Sequence, residues 1–188
     1  MPAPKAISSF SLSHVGILDG TTSAELADLF GANESSLELE SDVYERQGDD
    51  KILSTARWIT KGTLTVGTNY IPLPLISSLY GTAVVSSQIA TKDAYTVQLW
   101  TEKGTNIAPR PVVVLAPGEN EDGVPMDIKI VLYKVKFGPF SFSQSPSYKE
   151  GLAVSFEGDA LMSDKDELGA TFADGHGARI GKIIAVSL

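Results

Sequence analysis

Few side chains in this 188-residue chain could do chemistry. It has no cysteine, which removes disulfides, thiolate nucleophiles and Cys-ligated zinc or iron–sulfur centres. Its imidazoles are His14 and His176. His176 stands between two glycines and could act as a general base, but no partner Ser or acid is specified by spacing. A surface histidine is the expected reading. His14, in the N-terminal segment, has no apparent ligand neighbours. Asp164-Lys-Asp166-Glu167-Leu-Gly169 brings three carboxylates together as calcium loops do. Leu168, however, occupies the fifth position, where an EF-hand needs an oxygen ligand. A solvated acidic turn is expected there. Gly175-His-Gly-Ala-Arg-Ile-Gly181-Lys182 is one residue too long between its glycines for a phosphate loop, and Ile183 replaces the Ser/Thr. It also leads into a strand, whereas a phosphate loop opens a helix. No catalytic residue, metal ligand or cofactor is assigned, and the chain is not expected to be an enzyme.

The most informative spacing is acidic and alternating. Leu37-Glu38-Leu39-Glu40-Ser41-Asp42-Val43-Tyr44 places Glu38, Glu40 and Asp42 on one face of a strand and Leu37, Leu39 and Val43 on the other. Gln47-Gly48-Asp49-Asp50 supplies a turn, and residues 51–67 return as a second strand rich in Thr, Ile and Val, with Trp58. A two-residue loop at Asp49-Asp50 would pair Asp42 with Arg57 and Glu38 with Lys61. Such pairs contribute about 0.2–1 kcal/mol each. Hairpin arms of about a dozen residues exceed the usual strand of about 5–6. A hairpin this long and half polar is one that reaches beyond its own domain.

The elements around it are mostly strands. Residues 6–18 read as an extended arm or first strand. Thr22 to Gly31 carries a capping box (Thr22 with Glu25) and a terminal glycine, which predicts a two-turn helix. Pro72 to Gly81 predicts a short helix over 72–80 whose Leu75, Ile76, Leu79 and Tyr80 cover a sheet. Further strands are expected at 83–90, 94–102, 111–116, 127–137, 139–144, 152–161 and 178–187. Turn-rich loops separate them, notably Ala116–Pro125. The fold class is mainly β: a sandwich or barrel with one or two short helices in a single domain, 1–188.

Charge narrows the partners. Fifteen Lys and Arg stand against 23 Asp and Glu, a net charge of −8, which opposes phosphate-driven nucleic-acid binding. No signal peptide and no apolar run of the length a spanning helix needs is present, so a protein made in a cytoplasm is expected.

The order of features resembles the tail tube (major tail) proteins of long-tailed bacteriophages. The likeness rests on the N-terminal arm (1–15), the long hairpin (36–67), the short helix ending Leu79-Tyr80-Gly81, and the stretch Lys129-Ile-Val-Leu-Tyr-Lys-Val-Lys136-Phe-Gly-Pro-Phe. That stretch leads through Ser143-Gln-Ser-Pro146 to Leu152-Ala-Val-Ser-Phe-Glu-Gly-Asp-Ala-Leu161. The resemblance implies a β-sandwich related to the tube protein of type VI secretion, six copies to a ring, and rings stacked into a hollow tube. Hairpins of adjacent copies would join an inner barrel, and DNA would pass through it without specific binding. It further implies a virion tail protein assembled in the host cytoplasm, with tape-measure, tail-terminator and tail-tip proteins as partners and no membrane. Glu38, Glu40, Asp42, Arg57 and Lys61 become candidates for the lumen wall. Arg46, Gln47, Gly48, Asp49, Asp50 and Phe10 become candidates for inter-ring contact. Another β-sandwich virion module, for head–tail joining, decoration or adhesion, is the alternative.

Overall fold

A computed structural model describes residues 7–9, 12, 14–20, 22, 25–29, 32–48, 51–70, 73–80, 83–89, 91–97, 107–144, 152–173 and 177–187. Among these lie twelve strands and one helix, in the order β1 Ile7–Ser9, β2 His14–Leu18, β3 Glu25–Asp28, β4 Ala32–Gly48, β5 Lys51–Thr68, α1 Leu73–Tyr80, β6 Val84–Ile89, β7 Lys92–Val97, β8 Arg110–Asn120, β9 Pro125–Phe137, β10 Ser141–Gln144, β11 Leu152–Leu161 and β12 Gly181–Ser187. All except β6 and β7, which pair with one another, belong to one ten-stranded sheet.

The sheet curls into two layers. One runs β3-β2-β8-β9-β12, with β1 on β8 beyond the end of β2. The other runs β4-β5-β11-β10. They join where the end of β9 leaves β12 and pairs with β11, Val135 against Ala160 and Phe137 against Gly158. Between them lies one apolar core: Val15, Ile17, Val112, Val114, Leu132 and Val135 from the first layer face Leu64, Val66, Val154 and Phe156 from the second. Gly158 lies at this junction, where a Cβ would stand 2.7 Å from Val135 Cγ1 and 3.1 Å from Phe137 Cδ1. Helix α1, with Pro74 in its first turn, caps this core with Leu75, Ile76 and Leu79 as its spacing predicts. A smaller cluster of Leu18, Val113, Val131 and Tyr133 lies on the other face of the first layer, covered in part by Phe172.

Four expectations are corrected. Within the predicted helix over 22–31, Glu25–Asp28 forms strand β3 instead, antiparallel to β2. A helix of two turns is not stable by its own hydrogen bonds in water, and the open edge of β2 offers the segment a ladder. Leu29, just after β3, is buried in the core. Strand β8 runs on through Pro117 and Gly118 to Asn120, so the expected loop at 116–125 shrinks to a tight connection. The Asn120 side-chain oxygen closes it, accepting hydrogen bonds from the Asp122 and Val124 amides. His14, expected without apparent ligand neighbours, places Nε2 2.9 Å from the carboxylate oxygen Oε1 of Glu25 across the β2–β3 pair. The turn at 164–169 is not wholly solvated: the Asp166 carboxylate accepts the Leu168 and Ala170 amides, while Glu167 is largely buried and binds Lys182 on β12.

Candidate functional site

Period-two alternation in β4, β5 and β11 separates the β4-β5-β11-β10 layer into two faces. Core-ward stand Leu64, Val66, Val154, Phe156 and Ala160, each at most 2% exposed. Outward stand Glu38 and Glu40 from β4, Lys61, Thr63 and Thr65 from β5, Ser155, Glu157 and Asp159 from β11, and Ser141 and Ser143 from β10. The adjoining end of β9 adds Lys136, directly across from Asp159. Four carboxylates therefore meet two ammonium groups on one smooth polar surface. Lys61 is its centre: its Nζ lies 3.2 Å from Glu40 Oε1. The hydrogen bond and charge of Glu40, followed by the charge of Asp159, hold its ammonium above the ordinary value of 10.5.

The expected cross-strand pairs are displaced by bulges. Glu40, not Glu38, opposes Lys61; Glu38 opposes Thr63; Asp42 opposes Trp58; and Arg57 opposes Val43. The ladder slips between Arg46 and Gln47 and again between Glu40 and Ser41, each time with one extra residue on β5. At the second slip the extra residue is Thr60, whose hydroxyl donates to the Glu40 carbonyl at 3.4 Å. Each slip changes the parity of β5. Arg57 therefore lies on the Leu39 side of the hairpin, away from the acidic row, and Trp58 joins Asp42 on the acidic side. Of the candidate wall residues, the structure brings together Glu38, Glu40, Asp42 and Lys61, and it separates Arg57 from them.

Glu157, Asp159 and Lys136 belong to the same surface and escaped the sequence reading. Their signal was available in Val154-Ser-Phe-Glu-Gly-Asp-Ala, which alternates as strictly as the hairpin does.

The layer ends in open edges. Among the described residues β4 pairs only with β5, and β10 only with β11. Beyond Lys61 the hairpin loses β11, so Ser41–Gly48 and Lys51–Thr60 form a two-stranded ribbon. At about 3.3 Å per residue it reaches roughly 26 Å past the sheet. Tyr44, Trp58, Val43 and Ile59 on it are between 43% and 58% exposed. Of the candidate inter-ring residues, Arg46, Gln47 and Gly48 end β4 at the tip of this ribbon. Phe10, Asp49 and Asp50 lie outside the described residues.

Just inside the β4 edge an apolar groove of about 380 Å³ opens between the hairpin and β12. Leu37, Leu39 and Ile59 form one wall, Ile180 and Ile183 the other, and Ile130 and Leu132 the floor. At its far rim Arg179 stacks 4.5 Å above the Phe172 ring. The Glu167 carboxylate raises the Lys182 ammonium above its ordinary value. Another apolar hollow, of about 330 Å³, is lined by Leu73 and Ile76 of α1, Tyr95 and Val97 of β7, and Phe140 and Phe142.

No group of three or more His, Asp or Glu side chains among the described residues is placed to hold a metal ion. Compared with models of known protein families and with curated proteins, the chain matches none.

Proposed function

We propose that this chain is the subunit of a hollow tube, a phage tail tube protein, whose copies close into rings and stack to form a conduit for DNA. The observation that supports it most strongly is the β4-β5-β11-β10 layer, with a polar, net-acidic outer face bounded on both sides by strand edges that are unpaired among the described residues. Long open edges invite uncontrolled pairing in a monomer. Closing them against identical neighbours removes the hazard and produces a barrel whose inner wall is that polar face.

Chemistry agrees with the role. A cationic wall would release counterions and hold DNA, whereas carboxylates at Glu38, Glu40, Glu157 and Asp159 repel phosphate and let it slide. Lys61 and Lys136 relieve the mutual repulsion of the acids without reversing the sign. The projecting ribbon, too exposed and too narrow to be stable alone, suits contact with the next ring.

Negative-stain imaging of concentrated protein tests the reading. Uniform rings or hollow filaments are expected; a monodisperse monomer at every concentration would contradict it and favour a decoration or joining module.

A further inference from the structure

We infer that Phe142 is the anchor of the contact between neighbouring copies, seated in the apolar groove beside β4 of the next chain. The inference rests on the ring reading and adds to it the side chain and the pocket that hold the ring together.

Its basis is face parity. Phe142 pairs across β10–β11 with Val154, which is 1% exposed and points into the core. Phe142 therefore sits on the core-ward face of its layer, while Ser141 and Ser143 sit on the polar face. Yet Phe142 is 65% exposed, and among the described residues no further strand pairs with β10 beyond β11. At the other end of the same layer the core-ward residues of the last strand are Leu37 and Leu39, and they form a wall of the groove. Leu39 is 50% exposed and Ile183, opposite it, 73%.

When the β10 edge of one copy meets the β4 edge of the next so that the layer continues, a core-ward residue of β10 must enter beneath β4. A one-residue slip would instead place it on the polar face. In that position Phe142 meets Leu37, Leu39, Ile59 and Ile183. Its own groove is out of reach, since β11 and β5 lie between. The occupant is therefore a second copy, joined head to tail, the arrangement that closes into rings. The seam is also electrostatically compatible. Serines 141 and 143 come against Glu38 and Glu40, so no like charges stand opposite one another. A fully desolvated aromatic in an apolar pocket is the usual energetic centre of an interface. Tyr95, 62% exposed beside Phe142 in the neighbouring hollow, widens the same knob.

The absence of native cysteine allows a clean test in the full chain. The double variant Leu39→Cys/Phe142→Cys, treated with oxidant or a short bismaleimide under assembly conditions, should give a ladder of covalent oligomers. Each single variant should give no ladder. Separately, Phe142→Ser should keep the melting temperature and circular dichroism of the monomer, since the side chain is outside the core. It should weaken assembly by about 30-fold or more in the concentration required. Wild-type rings or tubes without a ladder from the double variant, or undiminished assembly of Phe142→Ser, would overturn the anchor and leave the ring reading standing. Failure of the wild-type chain to assemble at all would overturn both.

Discussion

Glu40 and Lys61 stand directly across the β4–β5 ladder with carboxylate oxygen and ammonium 3.2 Å apart, at the place where the hairpin leaves the body of the sheet. The pair links the outermost strand to the layer that Asp159 continues. Glu40, and after it Asp159, raise the Lys61 ammonium above its ordinary 10.5. A raised lysine stabilises the fold fully below its unfolded value and loses that contribution as pH climbs through the folded one. The contribution of Lys61 should therefore be constant near neutrality and be lost at strongly alkaline pH. Titration of the Lys61 side chain by NMR should show Glu40→Gln lowering its pKa toward 10.5. An unchanged titration would remove Glu40 as the cause.

Gly158 lies where the two layers join. With Val135 Cγ1 2.7 Å and Phe137 Cδ1 3.1 Å from where a Cβ would stand, Gly158→Ala must displace the Val135 side chain within the packed core. A loss of about 1–3 kcal/mol is expected from overfilling a core of this density, read as a lower urea midpoint with an unchanged slope. No loss would mean that the Val135 and Phe137 side chains can yield here without cost.

Opposite threonines rather than basic groups, Glu38 and Glu157 can be reversed without breaking a cross-strand ion pair. Glu38→Lys/Glu157→Lys should assemble as the wild type does. It should also slow DNA passage on the order of tenfold or more, because each lysine offers phosphate a place to displace counterions. DNA release from particles carrying the variant, measured at low and high salt, checks this. Unimpaired release at low salt would place these carboxylates away from the DNA path.

Among the described residues no third strand pairs with the ribbon of Ser41–Gly48 and Lys51–Thr60. Two-stranded ribbons open readily in water. Their amides should exchange quickly in the isolated subunit and become protected in the assembled state. Trp58, 49% exposed in the subunit, should shift its emission to shorter wavelength at the same time. Equal exchange in both states would mean that the ribbon is not a contact.

How much of this was legible in the sequence divides along physical lines. The hairpin, the helix over 72–80 and most later strands were readable because alternation, prolines and turn residues act locally. The segment 22–31 was misread because its capping box is a local preference too weak to outcompete pairing with β2. Strand β8 was cut short at Ala116 because Pro117 and Gly118 look like a loop, yet both sit in the ladder opposite Asp127 and Met126. The hairpin partners of Asp42 and Arg57 could not be read at all, since the extra β5 residue between Ile52 and Ser54 leaves no compositional mark. The joining of Glu157 and Asp159 to the hairpin acids is a matter of sheet order, which alternation alone does not reveal.

The measurement that bears most directly on the whole account is a cryo-EM reconstruction of whatever the concentrated protein assembles into. The account predicts a ring or stacked tube whose bore is lined by the β4-β5-β11-β10 layer, with Glu38, Glu40, Glu157 and Asp159 facing the channel. A solid assembly, one whose subunits do not close around a bore, or a tube carrying that layer on its outer surface, would contradict it.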